Sequence, residues 1–331
     1  MFPSSISVPG DSIRFEKNSW ADYIELVCLA SLDKEVSLND VRNIASAESA
    51  DGPERGSDST SEREDAFSCA FSDVFQYLKN RRKILGDCYP FTFVDDDVIS
   101  IDITDLSLEQ LLYLFLLFSS NLSCFAKTDQ HRLTRAFESI SREVLQRIFS
   151  EYHIEVFGTA SNPGDLFHGG MLIDRFKTLA GCLHTDIKAS TKSNRRYQQS
   201  AGDGGLDLVG YIQLDNSGAE VPFIPMCFAQ CACSVEKWKE KQGSIKFDEW
   251  NQRFEQIAHY CEFVFVPFSL RGPDGRWSDE EADRITVIPI DRIRFMHILR
   301  KFHGDFTFFE TTDAYSVVQE SISELLVEAE R

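Results

Sequence analysis

The chain has 331 residues, of which 43% are hydrophobic, and this length is enough for two domains that each bury a core of their own. Its formal net charge is −19, with 15 Lys and Arg against 25 Asp and Glu in residues 1–150 and 19 against 28 in residues 151–331. Because binding to phosphates requires cations, this balance excludes loose, sequence-independent adhesion to nucleic acid; any such contact must be local, metal-bridged or assisted by a partner.

The first 150 residues are predicted to form a mainly α-helical domain. Apolar residues recur there at helical spacing, and capping residues precede several of the segments. The predicted helices are Trp20–Ser31, a short helix that starts at Ser37, Ala66–Lys83, Ser107–Ser120 and Asp129–Glu151. Residues 46–66 contain no large apolar side chain, so they are expected to form a mobile loop.

Two β-rich pieces, Tyr89–Val94 and Val98–Ile103, follow the third of these helices and are separated by three aspartates. Helices followed by a small hairpin can form a winged-helix module, in which Arg81, Arg82 and Lys83 would contact phosphates. A helical scaffold that carries a hairpin is the favoured interpretation, because the helix that would enter the DNA groove is unusually acidic.

From residue 151 to 331 the pattern changes to α/β, and we predict a mixed sheet flanked by helices. The predicted strands include Phe263–Leu270 and Ile285–Ile290, whose uninterrupted apolar character is typical of a buried sheet. A strand at Ile154–Gly158 and helices at Met171–Cys182, Trp238–Tyr260, Asp291–Phe302 and Ser316–Glu330 complete the predicted elements.

The most informative segment of this half is a predicted β-hairpin. Alternating residues in Leu206–Leu214 and Val221–Ala232 favour two strands, and residues 215–218 are turn-forming. If Asp207 faces Gln230, the midpoint of the hairpin falls at the end of this turn, so the register is self-consistent. Facing residues have Cβ atoms about 5 Å apart, and a hard cation such as Mg²⁺ prefers oxygen ligands of this kind.

Lysines follow the second strand of the hairpin. Ser234 can cap a helix that begins at the next residue. Lys237 and Lys241 would then be i,i+4 neighbours on one helix face, while Lys239 would point elsewhere.

Together these residues resemble the PD-(D/E)xK nuclease superfamily, in particular the D…QxK branch whose second acidic position is a glutamine. The resemblance covers roughly residues 150–305 and implies a restriction-endonuclease-like fold. It implies that Asp207 and Gln230 are catalytic residues that bind Mg²⁺, or Mn²⁺ in its place. The usual lysine position is Ala232, so the resemblance implies a displaced catalytic lysine, with Lys241 preferred and Lys237 second.

Many members of this superfamily carry a further acid on the helix before the hairpin. In this chain the predicted helix there contains one acid, Asp174, which is therefore a candidate metal ligand. An isolated acid on a helix is more often a solvated surface residue.

A local group of cations flanks the hairpin and could bind nucleic-acid phosphates, although a solvated loop and helix face would look the same. Its members are Lys188, Lys192, Arg195, Arg196 and Lys239.

The resemblance therefore implies a metal-dependent DNA endonuclease, in a bacterial anti-phage defence or restriction system, that works with a protein partner such as a helicase or ATPase. Two alternatives stay open. The chain could be a non-catalytic interaction subunit with a decayed nuclease fold, or a winged-helix DNA-binding regulator.

The nine cysteines form no CxxC pair and no signal peptide precedes them, so reduced thiols in a cytoplasmic protein are expected. A zinc site on Cys227, Cys231 and Cys233 is disfavoured, because three thiols along one strand do not converge tetrahedrally. The most apolar run, Leu111–Phe118, is much shorter than the ~20 residues of a membrane-spanning helix.

Overall fold

In a computed structural model of the chain, the described residues are 6, 17–50, 60–158, 161–215, 221–272, 274–277, 283–302 and 305–329, without the side chains of 45–50, 60–69 and 328–329. They form two compact units. The first unit comprises 1–130, 268–282 and 306–331, and the second comprises 131–267 and 283–305. Each unit is built from discontinuous segments of the chain, whereas the sequence predicted a single boundary at residue 150.

The first unit starts with alternating helices and strands. They are α1 (Lys17–Ala30), β1 (Glu35–Ser37), α2 (Leu38–Ala50), α3 (Thr60–Leu85), β2 (Phe91–Asp95), β3 (Val98–Ile101) and α4 (Leu108–Ser120). The three strands form an antiparallel sheet in the order β1-β3-β2. Capping fixes two helix starts: Ser37 Oγ accepts from Asp40 N at 3.1 Å, and Ser107 and Gln110 form a capping box at the start of α4.

A buried ionic network lies in the core of this unit. Arg81 Nη1 lies 2.8 Å from Asp22 Oδ1 and 2.7 Å from Glu25 Oε1. The hydroxyls of Tyr89 and Tyr113 also donate to Glu25, at 2.8 and 2.9 Å. The winged-helix interpretation predicted that Arg81 contacts phosphates. This prediction is wrong, because the guanidinium of Arg81 is buried and paired with two carboxylates.

The second unit contains the longer sheet. Its elements are α5 (Lys127–Ile148), which begins in the first unit, β4 (His153–Val156), α6 (Leu172–Cys182), α7 (Ala189–Lys192), α8 (Arg195–Gln199), β5 (Leu208–Tyr211), β6 (Met226–Cys231), α9 (Trp238–Lys241), α10 (Phe247–Asn251), β7 (Cys261–Phe265), β8 (Ile288–Ile290) and α11 (Arg292–Lys301). The last helices of the chain, α12 (Thr307–Glu310) and α13 (Asp313–Ala329), belong to the first unit.

The sheet of the second unit has the order β4-β5-β6-β7-β8. The first three strands are antiparallel, and β6, β7 and β8 are parallel. The predicted hairpin register is confirmed, because Leu208 pairs with Ala229 and Tyr211 with Met226. Of the predicted hairpin turn, only Asp215 is among the described residues.

Helices cover both faces of this sheet. On one face Phe295 of α11 packs against Phe137 of α5 and Phe265 of β7, with ring centroids 6.0 and 6.2 Å apart. On the other face Trp250 of α10 packs against Phe228 of β6 at 4.9 Å. The predicted fold class, an α/β mixed sheet flanked by helices, is confirmed.

Several predicted elements differ in extent from the observed ones. The predicted mobile loop 46–66 is helical at both ends, because α2 continues to Ala50 and α3 starts at Thr60; alanine and glutamate there favour a helix. Residues 51–59 lie outside the described residues. The predicted helix Trp238–Tyr260 is interrupted by a 3₁₀ turn over Gln242–Ile245 and ends at Asn251. Gly243 weakens the helix at that turn.

All cysteines whose side chains are described are free thiols. Among the described residues, no helix has both the length and the apolar character required to cross a membrane.

Candidate active site

Asp207 lies immediately before β5 and is buried. Its Oδ2 accepts a hydrogen bond from the backbone N–H of Cys231 at 2.7 Å and another from the side-chain amide nitrogen of Gln230. The hairpin therefore brings Asp207 and Gln230 together, as the strand register predicted. Asp207 Oδ2 is occupied by these donors, which leaves Oδ1 as the oxygen available to a ligand.

A second carboxylate, Glu138 of α5, also lies beside Gly158. A Cβ placed on Gly158 would be 3.2 Å from Glu138 Oε2 and 3.3 Å from Asp207 Oδ1. The backbone N–H groups of Phe157 and Gly158 donate to the carbonyl oxygen of Asp207 at 2.8 and 3.2 Å. This pairing holds the glycine beside the two acids, and its missing side chain leaves a space that two carboxylate oxygens border.

The electrostatics of this space favour a cation. Burial, with the neighbouring Asp207 and Asp203 carboxylates, raises the pKa of Glu138 to about 9. Burial also raises the pKa of Asp207 to about 6, against the opposing effects of Lys241 and the Cys231 N–H. Glu138 Oε2 is buried and has no hydrogen-bond partner. Two buried acids close together cannot both ionise without a counter-charge, and a bound cation would supply that charge.

Gln230 is held by Ser244 of the 3₁₀ turn. The Ser244 hydroxyl lies 3.0 Å from Gln230 Oε1, and also 2.9 Å from the carbonyl oxygen of Gly205. A Cβ on Gly205 would be 2.6 Å from that of Ser244, so this approach requires glycine. The Gln230 amide therefore presents its nitrogen to Asp207 and its oxygen to Ser244, and the prediction that Gln230 supplies a metal ligand requires the amide to rotate.

The lysines after β6 have different environments. Lys241, at the end of α9, is half-buried, and its Nζ donates to the carbonyl oxygen of Cys231 at 2.7 Å. Cys231 is also the residue whose N–H binds Asp207, so Lys241 reaches the same strand end. Lys237 is exposed, and Lys239 lies over the ring of Trp238, with Nζ 5.7 Å from the centroid. The structure thus brings Lys241 to the acids.

Asp174 does not take part in this arrangement. It lies exposed on α6, where its Oδ1 is 3.0 Å from the ammonium of Lys177. The second acid near Asp207 is Glu138, which comes from α5, the helix before β4. The place of Glu138 in line with the buried Ser141 and Leu145, three and seven residues later, indicates that its side chain is covered but not that it lies near Asp207.

The predicted phosphate contacts are mostly exposed. Lys192, Arg195 and Arg196 have exposed side chains on α7 and α8. Lys188 differs, because it is half-buried and its ammonium donates to the carbonyl oxygen of Asn251 at 2.8 Å.

The site residues fit a hard divalent cation. Asp207 Oδ1 and the unpartnered Glu138 Oε2 border one small space, and carboxylate oxygens are the ligands that Mg²⁺ and Mn²⁺ accept. No group of three or more His, Cys, Asp or Glu side chains suited to a metal occurs among the described residues. A cation held by these two carboxylates would complete its coordination with water, backbone or phosphate oxygens, which is typical of Mg²⁺.

Gly158→Ala is expected to weaken divalent-cation binding by roughly tenfold or more, because the methyl group fills the space between the two carboxylates. Titration calorimetry with Mn²⁺ would measure this. Gly181→Ala on α6 is the matched control, since a Cβ there meets no atom within 4 Å. Equal Mn²⁺ affinity of the two variants would show that the cation does not bind beside Gly158.

No protein-family model matches the sequence, and no curated protein matches it either. Among solved structures, the chain is weakly similar to the MspJI restriction endonuclease in complex with a 27-mer oligonucleotide, with a TM-score of 0.29 and 14% sequence identity. The match covers 66% of this chain and 38% of that chain. At this level of similarity, the assignment of the α/β sheet depends on its own strand pairing.

Proposed function

We propose that the chain hydrolyses phosphodiester bonds of DNA in a reaction that depends on Mg²⁺, with Mn²⁺ as a substitute. The observation that supports this proposal most directly is the pair Glu138 and Asp207, because Glu138 Oε2, which has no hydrogen-bond partner, and Asp207 Oδ1 border the same space beside Gly158. Lys241 reaches the adjacent strand end. Two carboxylates and a nearby ammonium are the groups that this hydrolysis uses.

Each residue has a distinct role. Glu138 and Asp207 would hold the cation, which when bound polarises a phosphate oxygen and makes a coordinated water more acidic. The Gln230 amide and the Cys231 N–H fix the orientation of the Asp207 carboxylate through its Oδ2. Lys241 orients the attacking water or neutralises the charge that develops on the phosphoryl oxygens.

Substrate binding is assigned to the exposed cations of α7 and α8. Lys192, Arg195 and Arg196 have no ion-pair or hydrogen-bond partner for their charged groups in the described part of the chain. They are therefore available to phosphates in a protein whose overall charge repels DNA. A defence or restriction role, and a helicase or ATPase partner that delivers the DNA, follow from the family resemblance and remain predictions.

The experiment that tests the function is a nicking assay on supercoiled plasmid with the purified chain. Nicking is expected with Mg²⁺ and not with EDTA, and Asp207→Asn should abolish it. Asp174→Asn is the matched control, because it makes the same change at an exposed aspartate paired with Lys177. Equal nicking by wild type and Asp207→Asn would exclude this site as the catalytic centre.

The non-catalytic alternative predicts a different result for the same purified chain. A decayed nuclease fold would show no nicking and no heat of binding when Mn²⁺ is titrated into the wild-type chain. Mn²⁺ binding that is lost in Asp207→Asn, with nicking that appears only when a partner is added, would instead support an enzyme that requires its partner.

A further inference from the structure

The first unit has the element order α1-β1-α2-α3-β2-β3. Its sheet order is β1-β3-β2, so β1, which lies between α1 and α2 in the chain, pairs with β3, the second strand of the hairpin. This is the winged-helix topology, in which a hairpin follows the third helix. In helix-turn-helix modules one helix of the domain lies against the DNA duplex.

A groove of about 560 Å³ lies where the end of α3 meets β2 and α4. The residues that line it are Lys79, Arg82, Lys83, Gly86, Asp87, Tyr89, Phe91, Thr92 and Gln110. Its cations come from the last two turns of α3, and Asp87 is the one acid in this set. The groove therefore has a charge opposite to that of the whole chain.

Two of these cations are uncompensated. Arg82 and Lys83 are exposed, and neither side chain has a hydrogen-bond or ion-pair partner in the described part of the chain. Lys79 is different, because its ammonium lies 2.8 Å from Asp96 Oδ1 and neutralises an acid of the hairpin turn. Arg82 and Lys83 thus supply the free positive charge of the groove, with Asp87 opposing it in part.

The neutral side chains of the groove also favour an anion. Gln110 Oε1 accepts from the Ser107 N–H at 3.0 Å as part of the capping box of α4. This bond fixes the amide so that its NH₂ group, a donor, is left for a ligand in the groove. The Thr92 hydroxyl on β2 also lines the groove and shares a 2.9 Å hydrogen bond with Ser100 Oγ. Donors and cations side by side are what phosphate oxygens require.

We propose that this groove binds the phosphate backbone of duplex DNA, as a second DNA contact separate from the candidate active site. Arg82 and Lys83 provide the charge, and Gln110 provides a hydrogen bond to a phosphate oxygen. The hairpin turn does not take part, since Asp95, Asp96 and Asp97 are exposed there and repel phosphates. The contact is independent of sequence, because it is made to the backbone and not to base edges.

The test is duplex binding by the full chain, measured by fluorescence anisotropy in EDTA over a range of salt concentrations. Arg82→Glu and Lys83→Glu are each expected to weaken binding roughly tenfold and to reduce the slope of log K against log salt by about 1. Lys127→Glu is the matched control, because Lys127 is an exposed, unpartnered cation of the same unit that does not line the groove. Lys83→Gln removes charge without reversing it and should give a smaller loss in the same direction.

Equal weakening by all three reversals would indicate a general charge effect and overturn the proposal, as would no weakening by the groove variants. A mononucleotide that binds the chain and loses affinity in Arg82→Glu and Lys83→Glu, while duplex binding is unchanged, would reassign the groove to a small ligand. The measurement is made in EDTA, where no metal-dependent cleavage occurs, so this result does not depend on whether the chain cleaves DNA. Asp95→Asn and Asp97→Asn should leave binding intact or strengthen it.

Discussion

Glu138→Gln is expected to abolish Mg²⁺-dependent cleavage and, at the same time, to stabilise the metal-free protein. Glutamine has nearly the same shape as glutamate, but it cannot supply the anionic oxygen that borders the space beside Gly158 together with Asp207. The loss of one cation ligand should lower the cleavage rate by roughly 10³-fold, since a bound metal contributes several kcal/mol to such reactions. The nicking assay measures the first effect, and thermal unfolding in EDTA measures the second.

The stabilisation should depend on pH in a defined direction. The pKa of Glu138 is raised from 4.5 to about 9 in the folded chain. Between these values the folded state binds more protons than the unfolded state, so the stability contributed by protonation is present at low pH and is lost as pH rises through about 9. The amide of the Glu138→Gln variant stays neutral at every pH, so this variant should exceed wild type in Tm more at pH 9 than at pH 6. A gain of ~1 kcal/mol corresponds to roughly 2–4 °C.

Glu143→Gln on the same helix is the control for these measurements, because Glu143 has no hydrogen-bond or ion-pair partner in the described part of the chain. It should change neither cleavage nor the pH dependence of unfolding. Mn²⁺ binding to wild type should also release protons near neutral pH, which calorimetry in two buffers of different ionisation enthalpy detects. Full cleavage by Glu138→Gln would show that the reaction does not use this carboxylate.

The hairpin register could be predicted from the sequence because two constraints agree there. Alternating apolar residues identify the strands, and a pairing of Asp207 with Gln230 puts the midpoint of the hairpin at the end of the turn-forming residues, so this register was self-consistent. The pairing of Leu208 with Ala229 follows from the same constraints. Helical spacing placed Lys237 and Lys241 on one face and left both open, and the preference for Lys241 came from the family resemblance.

Glu138 could not be found by these means. Its nearness to Asp207 depends on how α5 packs against a sheet whose strands lie many residues later, and local periodicity does not contain that information. The role of Ser244 was hidden for a related reason, since a continuous helix was predicted across the 3₁₀ turn that carries it. In the first unit, β1 has only three residues and was not predicted, so the winged-helix topology became clear only from the pairing of β1 with β3.

Lys241→Ala is expected to lower cleavage by roughly 10²–10³-fold, the usual effect of removing one group that stabilises developing charge. The variant should still bind Mn²⁺, because the carboxylates of Asp207 and Glu138 are retained. In the metal-free chain the Lys241 ammonium binds the carbonyl oxygen of Cys231, so its removal frees an oxygen beside the site. A lower kcat with an unchanged or tighter Mn²⁺ affinity would therefore distinguish a catalytic lysine from one that only supports the metal site.

Lys237→Ala decides between the two lysines that the sequence left open. Lys237 is one helical turn before Lys241, but its side chain is exposed, so its removal should change cleavage by less than about threefold, the range of a surface charge. The two variants remove the same charge from the same short segment, which makes each the control of the other. If Lys237→Ala lost as much activity as Lys241→Ala, the ammonium at the Cys231 carbonyl would not be the catalytic group. Loss in Lys241→Ala alone would place the displaced lysine of the proposed nuclease at the end of α9.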